Sequence, residues 1–116
     1  MELSESILTS IKKMLGIEEE YTHFDPDIIM HINSVFMTLF QLGIGPKGFT
    51  ISDDEATWSD YISNADMLQA IKPYIYAKVR LGFDPPSSGT LIDLMKHQIA
   101  EMEWRLNVMV DPIEME

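Results

Sequence analysis

The chain has 116 residues, of which 46% are apolar and 23% are charged, and this size allows one folded domain around one hydrophobic core. Eight Lys and Arg stand against nineteen Asp and Glu, so the formal net charge is −11 and the cationic face that a sequence-specific DNA-binding protein needs is missing. The absence of cysteine excludes disulfides, zinc–thiolate sites and iron–sulfur clusters.

Two helices are predicted in the first part of the chain from helical spacing of apolar residues and from signals at their ends. Ser4 is the expected N-cap of the first helix, and Gly16 lies where a C′ glycine would end it. Asp25 and a first-turn proline begin the second, which is expected over residues 26–42 and ended by Gly43. This second helix is apolar around more than half of its surface, so we expect it at the centre of the core or buried by a partner.

The middle of the chain is predicted to hold a loop and two further helices. Residues 49–52 have the composition of a short strand or a hydrophobic loop, and Ser52 or Asp53 could cap a short helix that carries Trp58. Asn64 or Asp66 is expected to cap the next helix, which runs to about residue 82. Because Pro73 lies inside this pattern, we expect either a kink there or two short helices.

A rigid loop at residues 84–89 separates these elements from a long last helix, predicted over residues 88–108. Trp104 lies off the apolar stripe of this helix, so it either widens the buried face or anchors a partner. Five methionines fall in helical patterns and are interpreted as core residues: Met30, Met37, Met67, Met95 and Met102.

The predicted fold class is therefore all-α: a small single-domain helical bundle of four to five helices with a long C-terminal helix. Residues 1–110 are assigned to this domain, and residues 111–116 to a short acidic tail. The acidic N-terminus lacks the basic region of a signal peptide, and no segment approaches the roughly 20 apolar residues of a membrane span. We therefore expect a soluble protein with no membrane partner.

Two groups of side chains have the chemistry of metal ligands, since imidazole and carboxylate groups both bind zinc or iron. The first is His23, Asp25, Asp27 and His31, and the second is Asp93, His97 and Glu101. Helix capping, interaction with the helix dipole and charge pairing on an exposed helix face explain both groups without a metal. A small metal-dependent enzyme is thus the least favoured hypothesis, and we predict no metal and no cofactor.

Nucleophilic catalysis has no support either, because no serine lies in a Gly-x-Ser-x-Gly elbow. The glycine-rich residues 43–48 superficially resemble a phosphate loop, but they follow a helix and contain a proline, so they are interpreted as a helix terminator.

The acidic charge allows two specific functions. A ring lined with acids would let DNA pass without sticking, whereas an acidic DNA mimic would inhibit a nucleic-acid enzyme or regulator. Composition and periodicity do not choose between them.

Packing and loop patterns along almost the whole chain are similar to those of one known family. These patterns lie in residues 7–17, 31–36, 41–46, 58–61, 74–81, 83–86 and 99–108. In them the sequence resembles the small head–tail connector (adaptor, or head-completion) proteins of long-tailed bacteriophages and prophages. Pro73, inside a helix of that family, departs from the family pattern.

The resemblance implies a structural virion protein that is not an enzyme and needs no cofactor. Such proteins form a dodecameric ring below the portal in the head–tail neck, after assembly in the host cytoplasm. The ring extends the DNA conduit and offers a docking platform for the stopper or tail, so the implied partners are other copies of the chain, the portal protein and a stopper or tail-completion protein. DNA passes through without sequence-specific binding.

The resemblance also suggests where the partners would bind. In the family the C-terminal helix and tail engage the portal side, which implies a portal or partner interface at Trp104, Arg105 and Asp111. The acidic triplet that follows the first helix is the candidate for charge at the lumen or rim of the ring: Glu18, Glu19 and Glu20.

Overall fold

Five α-helices form the regular structure of residues 2–110, the part of the chain that this computed structural model describes. They are α1 (Ile7–Met14), α2 (Asp25–Gln41), α3 (Trp58–Tyr61), α4 (Ala65–Phe83) and α5 (Gly89–Val110). Within the described residues no strand forms, and β pairing is limited to an isolated antiparallel bridge between Ser6 and Thr57. The predicted all-α class and the long C-terminal helix are confirmed, with 22 residues in α5.

The central element of the bundle is α4, which packs against α2 on one side and α5 on another. Its inward face is buried because apolar residues recur at helical spacing: Leu68, Ile71, Tyr74, Ile75 and Val79. The start of α2 lies beside the end of α4, where the rings of Phe24 and Phe83 are 5.4 Å apart, so these two helices run antiparallel.

The short helix α3 closes the core from the side of α1. Trp58 is fully buried, and its indole Nε1–H donates to the hydroxyl of Ser10 at 3.1 Å. Tyr61 stacks on Phe36 of α2 with ring centroids 4.3 Å apart. A buried indole N–H requires an acceptor, so Ser10 explains how this tryptophan is accommodated in the core.

A buried lysine joins α1 to the start of α2. The side chain of Lys12 is 3% exposed, and its ammonium lies 2.9 Å from an Asp25 carboxylate oxygen. The same ammonium donates to the carbonyls of Glu19 at 3.0 Å and Tyr21 at 2.8 Å. These three partners compensate the cost of burying the charge and fix the acidic loop between the two helices.

Several helix ends differ from the prediction. Ser6 rather than Ser4 caps α1, and its hydroxyl accepts from the Thr9 N–H at 3.2 Å. Asp25 is the first residue of α2 rather than its cap, since its carboxylate is engaged by Lys12. For α4 the predicted cap Asn64 is confirmed, with the side-chain oxygen accepting from the N–H groups of two following residues.

The middle of the chain differs from the prediction at one cap and decides between the stated alternatives at two other places. Thr57, not Ser52 or Asp53, precedes α3, and its N–H donates to the Asp60 carboxylate at 2.8 Å. Residues 49–52 form a loop and not a strand, because the backbone of Ile51 pairs with the side-chain amide of Asn33 instead of another strand. The alternative of two short helices around Pro73 is wrong.

The continuity of α4 through Pro73 has a packing reason. Proline removes one backbone donor from a helix, and Pro73 is on the exposed side of α4, away from the core. Tyr74 and Ile75, directly after it, are fully buried, as is Ile71 before it. Burial on both sides of the proline therefore holds the helix together across the missing hydrogen bond.

Candidate functional site: two exposed apolar helix faces

The outward side of α2 exposes large apolar side chains along one stripe. Met30 is 60% exposed, Met37 is 65% exposed and Phe40 is 41% exposed. Their spacing of seven and three residues places them along one side of the helix, which we call the α2 face. The interpretation of Met30 and Met37 as core residues is therefore wrong, whereas Met67, Met95 and Met102 are half-buried against the core or between helices.

A second exposed apolar surface lies on α5 and contains Leu94, Trp104 and Val108, which we call the α5 face. Trp104 is 68% exposed, Leu94 52% and Val108 44%. The α5 face points away from Ile99 and Leu106, the buried residues of this 22-residue helix. Of the two interpretations of Trp104, widening of the buried face is thus wrong, and the residue is available to a partner.

The other residues predicted for a partner interface differ in what the structure shows. Arg105 adjoins Trp104 and forms an ion pair with Glu101 at 2.9 Å, in which both side chains are more than 60% exposed. An exposed pair of this kind adds little stability, so the guanidinium can exchange Glu101 for another carboxylate at small cost. Asp111 and the predicted tail lie outside the described residues.

A hydrogen bond between α4 and α5 contributes to holding α5 on the bundle. The buried hydroxyl of Tyr74 donates to the carboxylate of Glu103 at 2.7 Å. Burial raises the pKa of Tyr74, and the hydrogen bond to Glu103 raises it further, so the phenol stays protonated as the donor. Both α2 and α5 pack on α4 with their inner sides. Their outer sides carry the α2 face and the α5 face, so the bundle presents two different apolar faces on two different helices.

The acidic triplet Glu18, Glu19 and Glu20 is exposed in the loop after α1. The loop backbone is fixed by the Lys12 ammonium, which binds the carbonyl of Glu19. The carboxylates of the triplet face solvent beside Lys13, around a shallow depression. This position suits surface charge, and it does not bring the triplet together with the α5 face in any contact that the structure shows.

In each of the two groups with metal-ligand chemistry, some side chains contact neighbouring residues instead of converging on one point. Asp25 pairs with Lys12, and the ring of His23 packs edge-on against Phe24 with centroids 4.8 Å apart. In the second group, Glu101 pairs with Arg105 on the surface. Among residues 2–110, no group of three or more His, Asp or Glu side chains is arranged to hold a metal ion.

Asp27 and His31 of the first group do share a site, but it is an aromatic pocket that the sequence interpretation missed. The pocket lies where the start of α2 meets the end of α4, and Tyr21, Phe24 and Phe83 contribute its rings. The spacing of Asp27 and His31 indicated one helix face correctly. The aromatic residues come from different elements, however, so no sequence pattern connected them.

No helix within residues 2–110 has the length and hydropathy to cross a membrane.

A family model described as phage connector protein matches residues 7–112, a region that includes all five helices. Comparisons with curated proteins and with solved structures find no match. The matched family is structural and joins the phage head to the tail, which implies a virion component that contacts other capsid or tail proteins. The chain therefore belongs to the phage connector protein family.

Proposed function

We propose that the chain is a subunit of a ring that lies below the portal, extends the DNA conduit and provides a docking platform for the stopper or tail. The observation that carries this proposal is the presence of two different exposed apolar faces, on α2 and on α5. A contact between unlike faces is heterologous, so each subunit can bind one neighbour with each face, and such contacts form a ring when the rotation from one subunit to the next closes the circle. A dodecamer is the size that the family resemblance implies.

The side chains of the two faces suit each other chemically. Trp104 offers a large, rigid anchor of the type that dominates interface energies. Met30 and Met37 are flexible and polarisable, and thioether groups make favourable contacts with aromatic rings. We propose that the α5 face of one subunit packs on the α2 face of the next, with Trp104 at the centre of the contact.

Two further surfaces complete the proposal. Arg105 and Asp111 are assigned to the portal side, where the C-terminal helix and tail of the family engage. Glu18, Glu19 and Glu20 are assigned to the lumen or rim. A net charge of −11 per subunit repels DNA phosphates over about 8 Å at physiological salt, which favours passage over adhesion.

Light scattering on a sizing column over a wide concentration range, with electron microscopy of the largest species, tests ring formation. We expect closed rings for the wild type, and smaller species for Met37→Glu and for Trp104→Glu because each variant places a charge in the subunit contact. The control is Ser87→Glu, which adds the same charge at an exposed position in the loop before α5. A wild-type chain that stays monomeric and also fails to bind a portal ring contradicts the proposal.

A further inference from the structure

The aromatic pocket between the start of α2 and the end of α4 has a volume of about 570 Å³, within the usual range for ligand sites. Three rings line it in a connected series, with centroids 5.8 Å apart for Tyr21 and Phe24 and 5.4 Å apart for Phe24 and Phe83. Tyr21 is 51% exposed and Phe24 is 37% exposed, so the rings are reachable from solvent. A ligand can therefore reach aromatic surface directly in this pocket.

Charge in this pocket is predominantly negative. Asp27 and Asp84 both contribute to the lining, and the Asp27 carboxylate has no ion-pair or hydrogen-bond partner among residues 2–110. Arg80 lies near Asp84, but its guanidinium is engaged by the Asp84 carbonyl at 2.9 Å and by the hydroxyl of Tyr76 at 3.2 Å. Asp27 therefore presents an uncompensated negative charge beside the rings.

His31 is fixed at the pocket wall by close packing on α4. A Cβ atom at Gly82 would lie 2.7 Å from His31 Nδ1, so the missing side chain of this glycine is what allows the imidazole to approach the α4 backbone. The imidazole also faces Phe83, with ring centroids 6.5 Å apart. The wall on this side is thus built from packed groups and does not depend on a loose side chain.

We propose that this pocket binds an arginine side chain from a partner polypeptide. Aromatic faces attract cations through their quadrupole, and a carboxylate receives the planar guanidinium through two parallel hydrogen bonds. Arginine suits this combination better than lysine because it can stack on a ring and pair with a carboxylate at the same time. Aliphatic ligands would leave Asp27 unpaired at the contact.

The charge of the chain indicates that the arginine comes from a different protein. Each subunit carries −11, so a second copy approaches this acidic pocket against net repulsion. Of the two arginines in the chain, Arg80 is engaged by Asp84 and Tyr76, and Arg105 is assigned to the portal side in the proposed ring. A basic segment of another head or tail protein is instead attracted by the negative electrostatic field of the whole subunit.

The test is a titration of the full-length chain, followed by ¹H–¹⁵N NMR, with the acetylated and amidated tripeptide Gly-Arg-Gly and with the same peptide carrying neutral citrulline. We expect shifts that saturate at the amides of Phe24, Asp27 and Phe83 with the arginine peptide, and affinity for the citrulline peptide at least about fivefold weaker, because it lacks the charge. Equal binding of both peptides, or shifts spread evenly over the acidic surface, overturns the proposal.

Two variants separate the carboxylate from the rings. Asp27→Asn is expected to weaken binding of the arginine peptide about fivefold because it removes the carboxylate charge, and Tyr21→Leu about two- to fivefold because it removes one ring. Tyr21 is 51% exposed, so we expect the Tyr21→Leu variant to fold. The matched control is Asp66→Asn, another exposed first-turn aspartate, which lies at the opposite end of α4. If Asp66→Asn weakens binding as much as Asp27→Asn, the peptide is attracted by the overall negative charge of the chain and not by the pocket, and the proposal is wrong.

This inference does not depend on ring formation, and the two can fail separately. The titration is repeated in Trp104→Glu, which carries a charge in the proposed subunit contact and leaves the pocket unchanged. Arginine binding in this variant with the same affinity as in the wild type places the pocket outside the subunit contact. Loss of binding in Trp104→Glu would overturn the proposal, because it would show that the site requires a second copy of the chain.

Discussion

The loop after α2 packs on a core tyrosine through a glycine, and replacing this glycine by alanine tests that packing. Gly45 has φ +85°, and a Cβ atom there would lie 2.5–2.7 Å from three atoms of Tyr61, which is 4% exposed. The left-handed backbone costs alanine about 1–2 kcal/mol. Displacing a buried ring that also stacks on Phe36 adds about 1–3 kcal/mol. Alanine also restricts the unfolded chain more than glycine does, which offsets about 0.5 kcal/mol, so Gly45→Ala should lower the free energy of unfolding by about 1.5–4.5 kcal/mol.

The control is Gly48→Ala in the same loop. Gly48 has φ +74°, but an added Cβ would meet no atom within 4 Å, so this variant carries the backbone cost without the collision. Urea unfolding of both variants is best followed in the Trp104→Glu background, where Trp58 is the remaining tryptophan and reports on the core. We expect Gly45→Ala to be less stable than Gly48→Ala by about 1–3 kcal/mol. Equal losses in the two variants would refute the packing argument.

Two further predictions concern buried polar groups. Asp25→Ala leaves the Lys12 ammonium, which is 3% exposed, without its counter-charge, and should lower the free energy of unfolding in urea by about 2 kcal/mol. This loss is below the usual cost of breaking a buried ion pair, because Asp25 is 22% exposed and two carbonyls still bind Lys12. Adding Lys12→Met should recover part of the loss, and no recovery would contradict the account. Burial raises the pKa of Tyr61 and of Tyr74 above 10, so the stability from their neutral forms is complete below about pH 10 and is lost as the pH rises further. Unfolding measured from pH 8 to 11 should show this fall, and Tyr74→Phe should make it shallower.

Helix positions were predictable from the sequence because helical spacing of apolar residues is a local signal that tertiary packing reinforces. The ends were less predictable, since a cap depends on which neighbour competes for the side chain. Asp25 has the chemistry of a cap, but a buried lysine from another helix engages its carboxylate. Pro73 has the chemistry of a helix breaker, but buried residues on both sides keep α4 continuous. In each case a contact between distant residues overrode a local preference.

The candidate surfaces could be predicted only in part. The position of Trp104 off the apolar stripe was visible in the spacing, and its exposure agrees with a role in binding. Met30 and Met37 were assigned to the core because α2 is apolar on most sides, and spacing alone does not say which side the neighbouring helix covers. The aromatic pocket required the antiparallel docking of α2 and α4, which brings Phe24 to Phe83 across nearly sixty positions of the chain.

The central claim, that subunits join through two unlike faces, is tested most directly by mixing two variants that each lack one face. Met37→Glu retains the α5 face and Trp104→Glu retains the α2 face, so an equimolar mixture can still form one intact contact per pair. Native mass spectrometry should show each variant alone as a monomer and the mixture as a one-to-one dimer that grows no further. A mixture that remains monomeric, or a variant that dimerises with itself, would contradict head-to-tail assembly through these faces.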